Sequence, residues 1–199
     1  WYVHKSSFTS ISKINFIKTK EIFLSKQGYP LKLDSIRYYS SKHFKLVSDI
    51  DVAGREWTVI GGSDVDGFYG SIDGDGHRIT GLNIAVNAKN IYTGFIGNNF
   101  GQISNIVFED PILLVRDSEE SEIYAGIVCG YNNILAKVEQ CKVIGGQVSS
   151  NVCKSKTILG GVVGHNNGDI KASSYSGTIT SDFLEVAGTG YVGGIVGFN

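Results

Sequence analysis

The stretch GGVVGHNNGDI, at residues 160–170, carries the residue types of a small catalytic site. His165 could exchange a proton near neutral pH, and Asp169, four residues later, could orient its ring. Acid–base catalysis is therefore the first hypothesis for this segment. The alternative is that its glycines and asparagines turn the backbone, and the surrounding sequence has to decide between the two.

Two pairs of alternating aspartates raise the possibility of a calcium site. Asp64 and Asp66 lie in SDVDG, and Asp73 and Asp75 lie in IDGDGHRI. Calcium prefers about six to eight oxygen ligands, often carboxylates at alternate positions. A calcium loop with its closing glutamate is absent, so a backbone turn is the competing interpretation. Beyond this weak calcium hypothesis, the sequence predicts no cofactor and no metal.

Paired carboxylates also suggest cleavage of a polysaccharide, which needs two carboxyl groups on one face. Asp49 and Asp51 are two residues apart, as are Asp73 and Asp75, and such pairs share a face when they lie on a strand. The second pair, however, flanks the turn residue Gly74. No nucleophile elbow, zinc-protease helix motif or phosphate loop is present. We therefore expect a chain that is not an enzyme and has no catalytic residues.

Other polar and aromatic residues have two interpretations each. Cys129 and Cys141 lie in apolar strand patterns and are expected in the core, whereas Cys153 lies in a polar loop and is the expected exposed thiol. The acidic insert RDSEESE, at 116–122, is either a solvated loop or a binding protrusion. Five aromatic residues could form a sugar-stacking platform or pack into the core: Tyr38, Tyr39, Trp57, Phe68 and Tyr69.

A repeat of about 33 residues organises the chain from residue 92 onward. The triplet Gly-x-Asn occurs four times, and its glycines are 33, 34 and 33 residues apart: Gly97, Gly130, Gly164 and Gly197. An apolar stretch precedes each triplet, and a second stretch follows the first three. Several short strands per repeat, separated by Gly and Asn turns, are typical of a parallel β-helix, whose coils stack like residues on one another.

This pattern predicts columns of like residues along the stack. Asparagine tolerates the left-handed conformation of a coil corner, and stacked amides can hydrogen-bond from coil to coil. The predicted turn column is Asn99, Asn132, Asn166 and Asn199. The predicted hydrophobic ladders are Ile79–Ile103–Val138–Ile170 and Leu82–Ile106–Cys141–Ser173. In this alignment the position of His165 is occupied by Asn98, Tyr131 and Phe198 in the other copies, which argues against a catalytic histidine.

The segment FKLVSDIDVAGREWTVIGG (44–62), followed by DGFYGSIDGDGHRITGLNI (66–84), resembles the opening coils of bacterial surface proteins that carry GLUG repeats. The resemblance covers about residues 44–199. It implies a right-handed parallel β-helix in a secreted or wall-attached protein, where such regions serve as stalks, adhesin modules or accessory regions of immunoglobulin-A-cleaving metallopeptidases. Asp75 and the turn NNILA (132–136) depart from the family pattern without affecting the predicted fold.

We therefore expect an all-β chain: a right-handed parallel β-helix of about four to five coils over residues 44–199, preceded by a basic segment over residues 1–43. Up to Ser48 nine Lys and Arg residues face two acidic ones, a net charge of +7, which leaves −8 for the rest of a chain with net charge −1. The basic segment is expected to cap the first coil, with a short helix near 33–44, or to act as a linker.

The expected function is a non-enzymatic extracellular scaffold or adhesin-like module. The alternatives are a carbohydrate-binding or carbohydrate-cleaving module, and an accessory region of a surface protease. Expected partners are further coils or another chain at the edge near Asn199, and a glycan or a host or cell-wall surface. Neither nucleic-acid binding nor a membrane span is expected, because nucleic-acid motifs and an apolar run of about 18 residues are absent.

Overall fold

The chain folds as a stack of parallel β-strands in a computed structural model that describes residues 21–24, 36–88, 91–118, 122–151, 156–181 and 190–199. These residues contain 21 strands and no α-helix. In chain order the strands are β1 Glu21–Leu24, β2 His43–Leu46, β3 Ile50–Asp51, β4 Ser71–Asp73, β5 Arg78–Thr80, β6 Asn83–Ala88, β7 Tyr92–Thr93, β8 Ile96–Asn99, β9 Gln102–Ser104, β10 Val107–Glu109, β11 Ile112–Ser118, β12 Glu122–Gly126, β13 Cys129–Asn132, β14 Lys137–Glu139, β15 Lys142–Ser150, β16 Lys156–Gly160, β17 Val163–Asn166, β18 Asp169–Lys171, β19 Ser174–Ser181, β20 Gly190–Gly193 and β21 Val196–Phe198.

Four parallel sheets form the walls of the stack. Sheet A has the order β1-β2-β4-β9-β14-β18. Sheet B has the order β3-β5-β10-β15-β11-β6, and β19 also pairs with β15. Sheet C is β21-β17-β13-β8, and sheet D is β20-β16-β12-β7. The chain passes through sheets C, A, B and D in turn and then starts the next coil. This is the predicted all-β parallel solenoid, with about four turns and with four or five strands in each complete coil.

Sheet B shows how one strand can serve two neighbours. The first residues of β15 pair with β10, and its residues from Gln147 onward pair with β11. The register between β15 and β19 shifts at Gly145, where φ is +68°. A glycine in this conformation allows a β-bulge, which bends the strand from one face of the coil to the next.

The core is made of inward-facing ladders of apolar side chains. In sheet A, Ile72 pairs with Ile103, Ile103 with Val138, and Val138 with Ile170. Ile72, Ile103 and Val138 are fully buried, which stabilises the stack by roughly 1.5–3 kcal/mol for each side chain.

The expected first member of that ladder, Ile79, was wrong. Ile79 lies in sheet B, where it pairs with Phe108, and Ile72 takes its expected place in sheet A. The sequence alignment had slipped by seven residues, because both strands carry an isoleucine flanked by polar residues. Leu82 is displaced for the same reason: its carbonyl accepts a hydrogen bond from the amide of Ile112 in sheet B, and Leu82 does not align with Ile106.

The N-terminal region contributes a strand to the stack. β1 pairs in parallel with β2 over four residues, from Glu21 with His43 to Leu24 with Leu46. In place of the short helix expected near 33–44, residues 36–39 form one 3₁₀ turn, and β2 begins at His43. No helix in the part of the chain that the structure describes is long and apolar enough to cross a membrane.

Coils approach each other so closely at one corner that only glycine fits. A Cβ atom on Gly101 would lie 2.0 Å from the carbonyl oxygen of Gly70, and one on Gly70 would lie 1.9 Å from that of Lys42. Another corner, between sheets A and B, places single residues at positive φ in successive coils: Asn105 at +57°, Gln140 at +53° and Ala172 at +49°. The backbone geometry of these corners therefore restricts which residue types can occupy them.

Candidate functional site

The four asparagines of the repeated triplet form one hydrogen-bonded column. The side-chain nitrogen of Asn99 donates to Oδ1 of Asn132, Asn132 donates to Asn166, and Asn166 donates to Asn199, each over 2.8 Å. Asn99 and Asn132 are fully buried. Oδ1 of Asn99 and of Asn166 also accepts a backbone amide two residues later, so the column closes the corner between sheets C and A. The expected left-handed conformation is not found at Asn99, Asn132 or Asn166, so these residues stabilise the corner through their side-chain hydrogen bonds.

His165 and Asp169, the first candidates for catalysis, belong to different walls. His165 lies in β17 and pairs with Tyr131 below and Phe198 above. Asp169 begins β18 in sheet A and forms an ion pair with Lys171 at 3.1 Å. Burial lowers the pKa of His165, and its Nδ1 atom is buried without a hydrogen-bond partner in the described part of the chain. The environment of His165 therefore favours a neutral ring that packs against other rings.

The rings around His165 form an aromatic stack on the outside of sheets C and D. Tyr92 stacks on Tyr124 with ring centroids 5.6 Å apart, and Tyr131 lies 4.7 Å from His165. Tyr124 also contacts His165 at 5.4 Å, and Phe198 contacts it at 5.1 Å. The signal for the stack is visible in the sequence, because the apolar stretches before three Gly-x-Asn triplets begin with tyrosine. It was missed because those stretches were interpreted only as strands.

Acidic and amide groups hold the tyrosine hydroxyls of this stack. Tyr92 donates to Asp64 over 2.6 Å, and Tyr124 donates to Glu122. Burial, helped by these carboxylates, raises the pKa of both tyrosines. The hydrogen bond from Tyr124, followed by that from Lys156, lowers the pKa of Glu122. The hydroxyl groups of Tyr92 and Tyr124 therefore have partners within the chain.

The four calcium candidates are held by different partners. Asp64 accepts the hydroxyl of Tyr92, and Oδ1 of Asp73 accepts from the side chain of Asn105 at 2.9 Å. Asp75 forms an ion pair with Lys45 at 3.1 Å. Asp66 lines a surface cleft described below. Within the described ranges, no group of three or more His, Cys, Asp or Glu side chains is arranged to hold a metal ion.

The carboxylate pairs considered for polysaccharide cleavage cap turns. Oδ1 of Asp49 accepts the amide of Arg78 at 2.9 Å and faces Nδ1 of His77 at 3.2 Å. The Arg78 amide, the largest favourable influence, lowers the pKa of Asp49. Oδ1 of Asp51 accepts the amide of Ala53, and Oδ1 of Asp73 accepts that of Asp75. These bonds assign the three carboxylates to backbone turns between coils.

Two of the three cysteines are buried thiols. Cys129 and Cys141 are fully buried, and burial raises the pKa of both, to about 12 for Cys141. The Cys141 thiol contacts the carbonyl oxygen of Ile103 at 3.7 Å. Cys153 lies outside the described residues, as do residues 119–121 of the acidic insert.

The five residues of the predicted aromatic platform divide into two groups. Trp57 and Phe68 are buried, and the Trp57 indole nitrogen donates to the carbonyl oxygen of Phe95 at 2.9 Å. Tyr38, Tyr39 and Tyr69 are 77%, 52% and 56% exposed. Core packing therefore explains two of the five residues, and three tyrosines remain on the surface.

A cleft of about 400 Å³ lies between the 3₁₀ turn at 36–39 and the loop at 61–69. Tyr38 and Tyr69 line it together with Arg37, Ser40 and Asp66. The other residues that line the cleft are Val59, Ile60, Gly61, Val65 and Gly67. This volume falls within the usual range for small-molecule sites, and the lining combines aromatic rings with both charges.

Fold and geometry together define the chain as a parallel β-solenoid with an asparagine turn column. No protein-family model matches the chain, and no curated protein matches it. Among solved structures, the chain is similar to the crystal structure of a putative immunoglobulin A1 protease from Bacteroides ovatus, with a TM-score of 0.46 and 13% sequence identity over 90% of this chain and 85% of that chain. The relation to GLUG-repeat proteins stays a prediction from the sequence.

Proposed function

We propose that this chain is a non-enzymatic scaffold module of a larger secreted or cell-surface protein. The observation that carries the proposal is that the number of residues between the end of a sheet B strand and the start of the next sheet D strand differs from coil to coil. Between sheet B and sheet D the successive connections are residues 89–91, 119–121, 151–155 and 182–189. Loops that differ between repeats and lie on one side of a solenoid are often its recognition surface.

The described strands that flank these intervals stay in register although the intervals differ in length. β12 pairs with β16, and β16 with β20, without a shift of register. The asparagine column fixes the coils independently at the corner between sheets C and A. Each coil adds about 4.8 Å to the stack, so the scaffold spaces its connections at regular intervals of that size. The mechanism proposed is geometric: a rigid wall determines where variable segments are presented.

Exchange of a connection tests the proposal directly. Residues 182–189 would be replaced by eight Gly and Ser residues, and the unfolding midpoint in urea would be compared with that of the parent chain. We expect a change below about 0.5 kcal/mol, because a presented segment contributes little to the stack. The matched control replaces the four residues of β17 with Gly and Ser, which should abolish cooperative unfolding.

Two outcomes would contradict the scaffold. If the exchange at 182–189 unfolds the chain as fully as the exchange in β17, this segment is part of the wall. If antibodies raised against the module fail to label intact producing cells but label lysed cells, the extracellular location is wrong.

Polysaccharide cleavage and a position beside a protease domain have less support than the scaffold role. The turn-capping bonds of Asp49, Asp51 and Asp73 give no support to a hydrolase that uses these pairs. A position beside a protease domain in a longer chain stays a prediction of the sequence resemblance.

A further inference from the structure

The surface cleft at the N-terminal end of the stack combines features that the scaffold role does not use. Tyr38 and Tyr69 are 77% and 56% exposed, so their rings contribute little to the core. Both line the same cleft of about 400 Å³. Tyr39, the immediate neighbour of Tyr38, does not line it.

The ring of Tyr69 is held in place by a stacking partner and is still 56% exposed. Its ring stacks on Phe100 with centroids 4.8 Å apart and an interplanar angle of 9°. The Phe100 ring in turn lies over Gly67, where a Cβ atom would come within 2.7 Å of it. The backbone of Tyr69 is fixed by a hydrogen bond from its amide to the carbonyl oxygen of Ser40 at 2.8 Å. The exposed area of Tyr69 therefore belongs to a ring of fixed orientation.

Polar groups of both signs accompany the aromatic rings. Arg37 donates from Nη2 to the carbonyl oxygen of Thr58 at 3.2 Å, which fixes the guanidinium at the cleft wall. Asp66 supplies a carboxylate, which accepts hydrogen bonds only, whereas a guanidinium only donates them. A ligand with neighbouring hydroxyl groups suits Arg37 and Asp66, because each hydroxyl can both donate and accept a hydrogen bond.

We propose that this cleft binds a neutral pyranose oligosaccharide, with Tyr38 and Tyr69 stacking on sugar rings. The C–H face of a pyranose carries partial positive charge and matches the negative face of an aromatic ring. Its hydroxyl groups match Arg37 and Asp66, whereas an acidic sugar or a phosphate would face the Asp66 carboxylate. The proposal rests on the cleft alone and is independent of the scaffold function.

Titration calorimetry of the purified chain with three tetrasaccharides tests this site. The probes are cellotetraose, tetra-N-acetylchitotetraose and the acidic tetragalacturonate. We expect at least one neutral probe to bind and the acidic probe to bind more weakly. Tyr38→Ala and Tyr69→Ala should each weaken binding of the neutral probe about two- to tenfold, the size of one aromatic contact.

Matched variants separate the cleft from the rest of the surface. Tyr39→Ala removes a tyrosine outside the cleft that is about as exposed as Tyr69, and it should leave binding unchanged. Tyr69→Phe keeps the ring and its stacking on Phe100, so it should bind like the parent chain even if Tyr69→Ala is destabilised. Asp66→Asn should reduce the preference for the neutral over the acidic probe.

Three results would overturn the proposal. The first is the absence of binding by both neutral probes at millimolar concentration. The second is equal weakening by Tyr39→Ala and Tyr38→Ala, which would mean nonspecific adsorption. The third is tighter binding of tetragalacturonate than of either neutral probe, which would assign the cleft to an anionic ligand.

Discussion

Replacement of the buried amide in the middle of the asparagine column, Asn132→Leu, should markedly destabilise the chain. Asn132 accepts from Asn99 and donates to Asn166, both over 2.8 Å, and its nitrogen lies 3.3 Å from the carbonyl oxygen of Asp169. Leucine has a similar size and is apolar, so the change removes hydrogen bonds without opening a large cavity.

The loss of unfolding free energy can be estimated from the hydrogen-bond partners that Asn132→Leu leaves unpaired. Two amide–amide bonds contribute about 1 kcal/mol each, and a buried donor without a good partner costs about 1–3 kcal/mol more. After the change, the nitrogen of Asn99 keeps only long contacts, such as 3.4 Å to the carbonyl oxygen of Gly101. Oδ1 of Asn166 keeps the amide of Gly168 at 3.2 Å. The expected loss is therefore about 3–5 kcal/mol, or roughly 6–20 °C in melting temperature for a chain of this length.

Urea unfolding followed by circular dichroism measures this loss. Asn83→Leu is the matched control, because Asn83 is exposed on β6 and its substitution should cost less than about 0.5 kcal/mol. Equal effects of the two changes, or a loss below about 0.5 kcal/mol for Asn132→Leu, would show that the column does not stabilise the stack.

Three further predictions concern the corners and the aromatic stack. Gly101→Ala should destabilise by more than about 2 kcal/mol, because its Cβ would meet the carbonyl oxygen of Gly70 at 2.0 Å, whereas Gly194→Ala, with open space around its Cβ, should be nearly neutral in the same urea assay. Ala172→Gly should raise the unfolding free energy by about 0.5–1 kcal/mol, since alanine is strained at φ +49°; an unchanged midpoint would contradict this. Burial lowers the pKa of His165, so the unfolded chain binds a proton more readily than the folded chain, and the free energy of unfolding should fall as pH drops below about 6.5. His165→Phe should make the free energy of unfolding depend less on pH in this range. An unchanged pH dependence would show that His165 is not the group responsible.

The sequence predicted those parts of the fold in which one residue type recurs at one position. The Gly-x-Asn triplet identifies a coil corner because glycine is required by close backbone contact and asparagine by its hydrogen bonds in both directions. The regular spacing of this triplet predicts a parallel solenoid, and the number of its copies predicts the number of coils. These constraints are local, so they are visible without knowledge of the tertiary structure.

The register of the first coil could not be obtained in this way. Ile72 and Ile79 both point into the same core, from sheets A and B, and both are followed two or three residues later by turn residues. An apolar pattern of period two is the same on every wall of a solenoid, so it does not tell one wall from the next. The backbone pairing of Ser71 with Gln102 resolves the choice.

The surface sites depend on contacts between distant residues and were therefore only partly predictable. Tyr38 and Tyr69 were recognised as candidates for a platform together with Trp57 and Phe68, although only the first two line the cleft. An aromatic residue in an irregular segment does not reveal by its type whether it faces the core. The Tyr92–Asp64 hydrogen bond likewise joins residues 28 positions apart, which no local pattern indicates.

The strictly parallel pairing has a consequence for how this chain reaches its fold. Every strand pairing joins residues at least 22 positions apart, as for Glu21 with His43, and at most 35, as for Gln102 with Lys137. No hairpin is present in the described strands to form first, so the initial contact between two coils must close a loop of one coil length. Once two coils are joined, each further coil closes a loop of similar size on an existing template. We therefore expect a slow nucleation step followed by rapid addition of coils, so that folding time depends weakly on the number of coils.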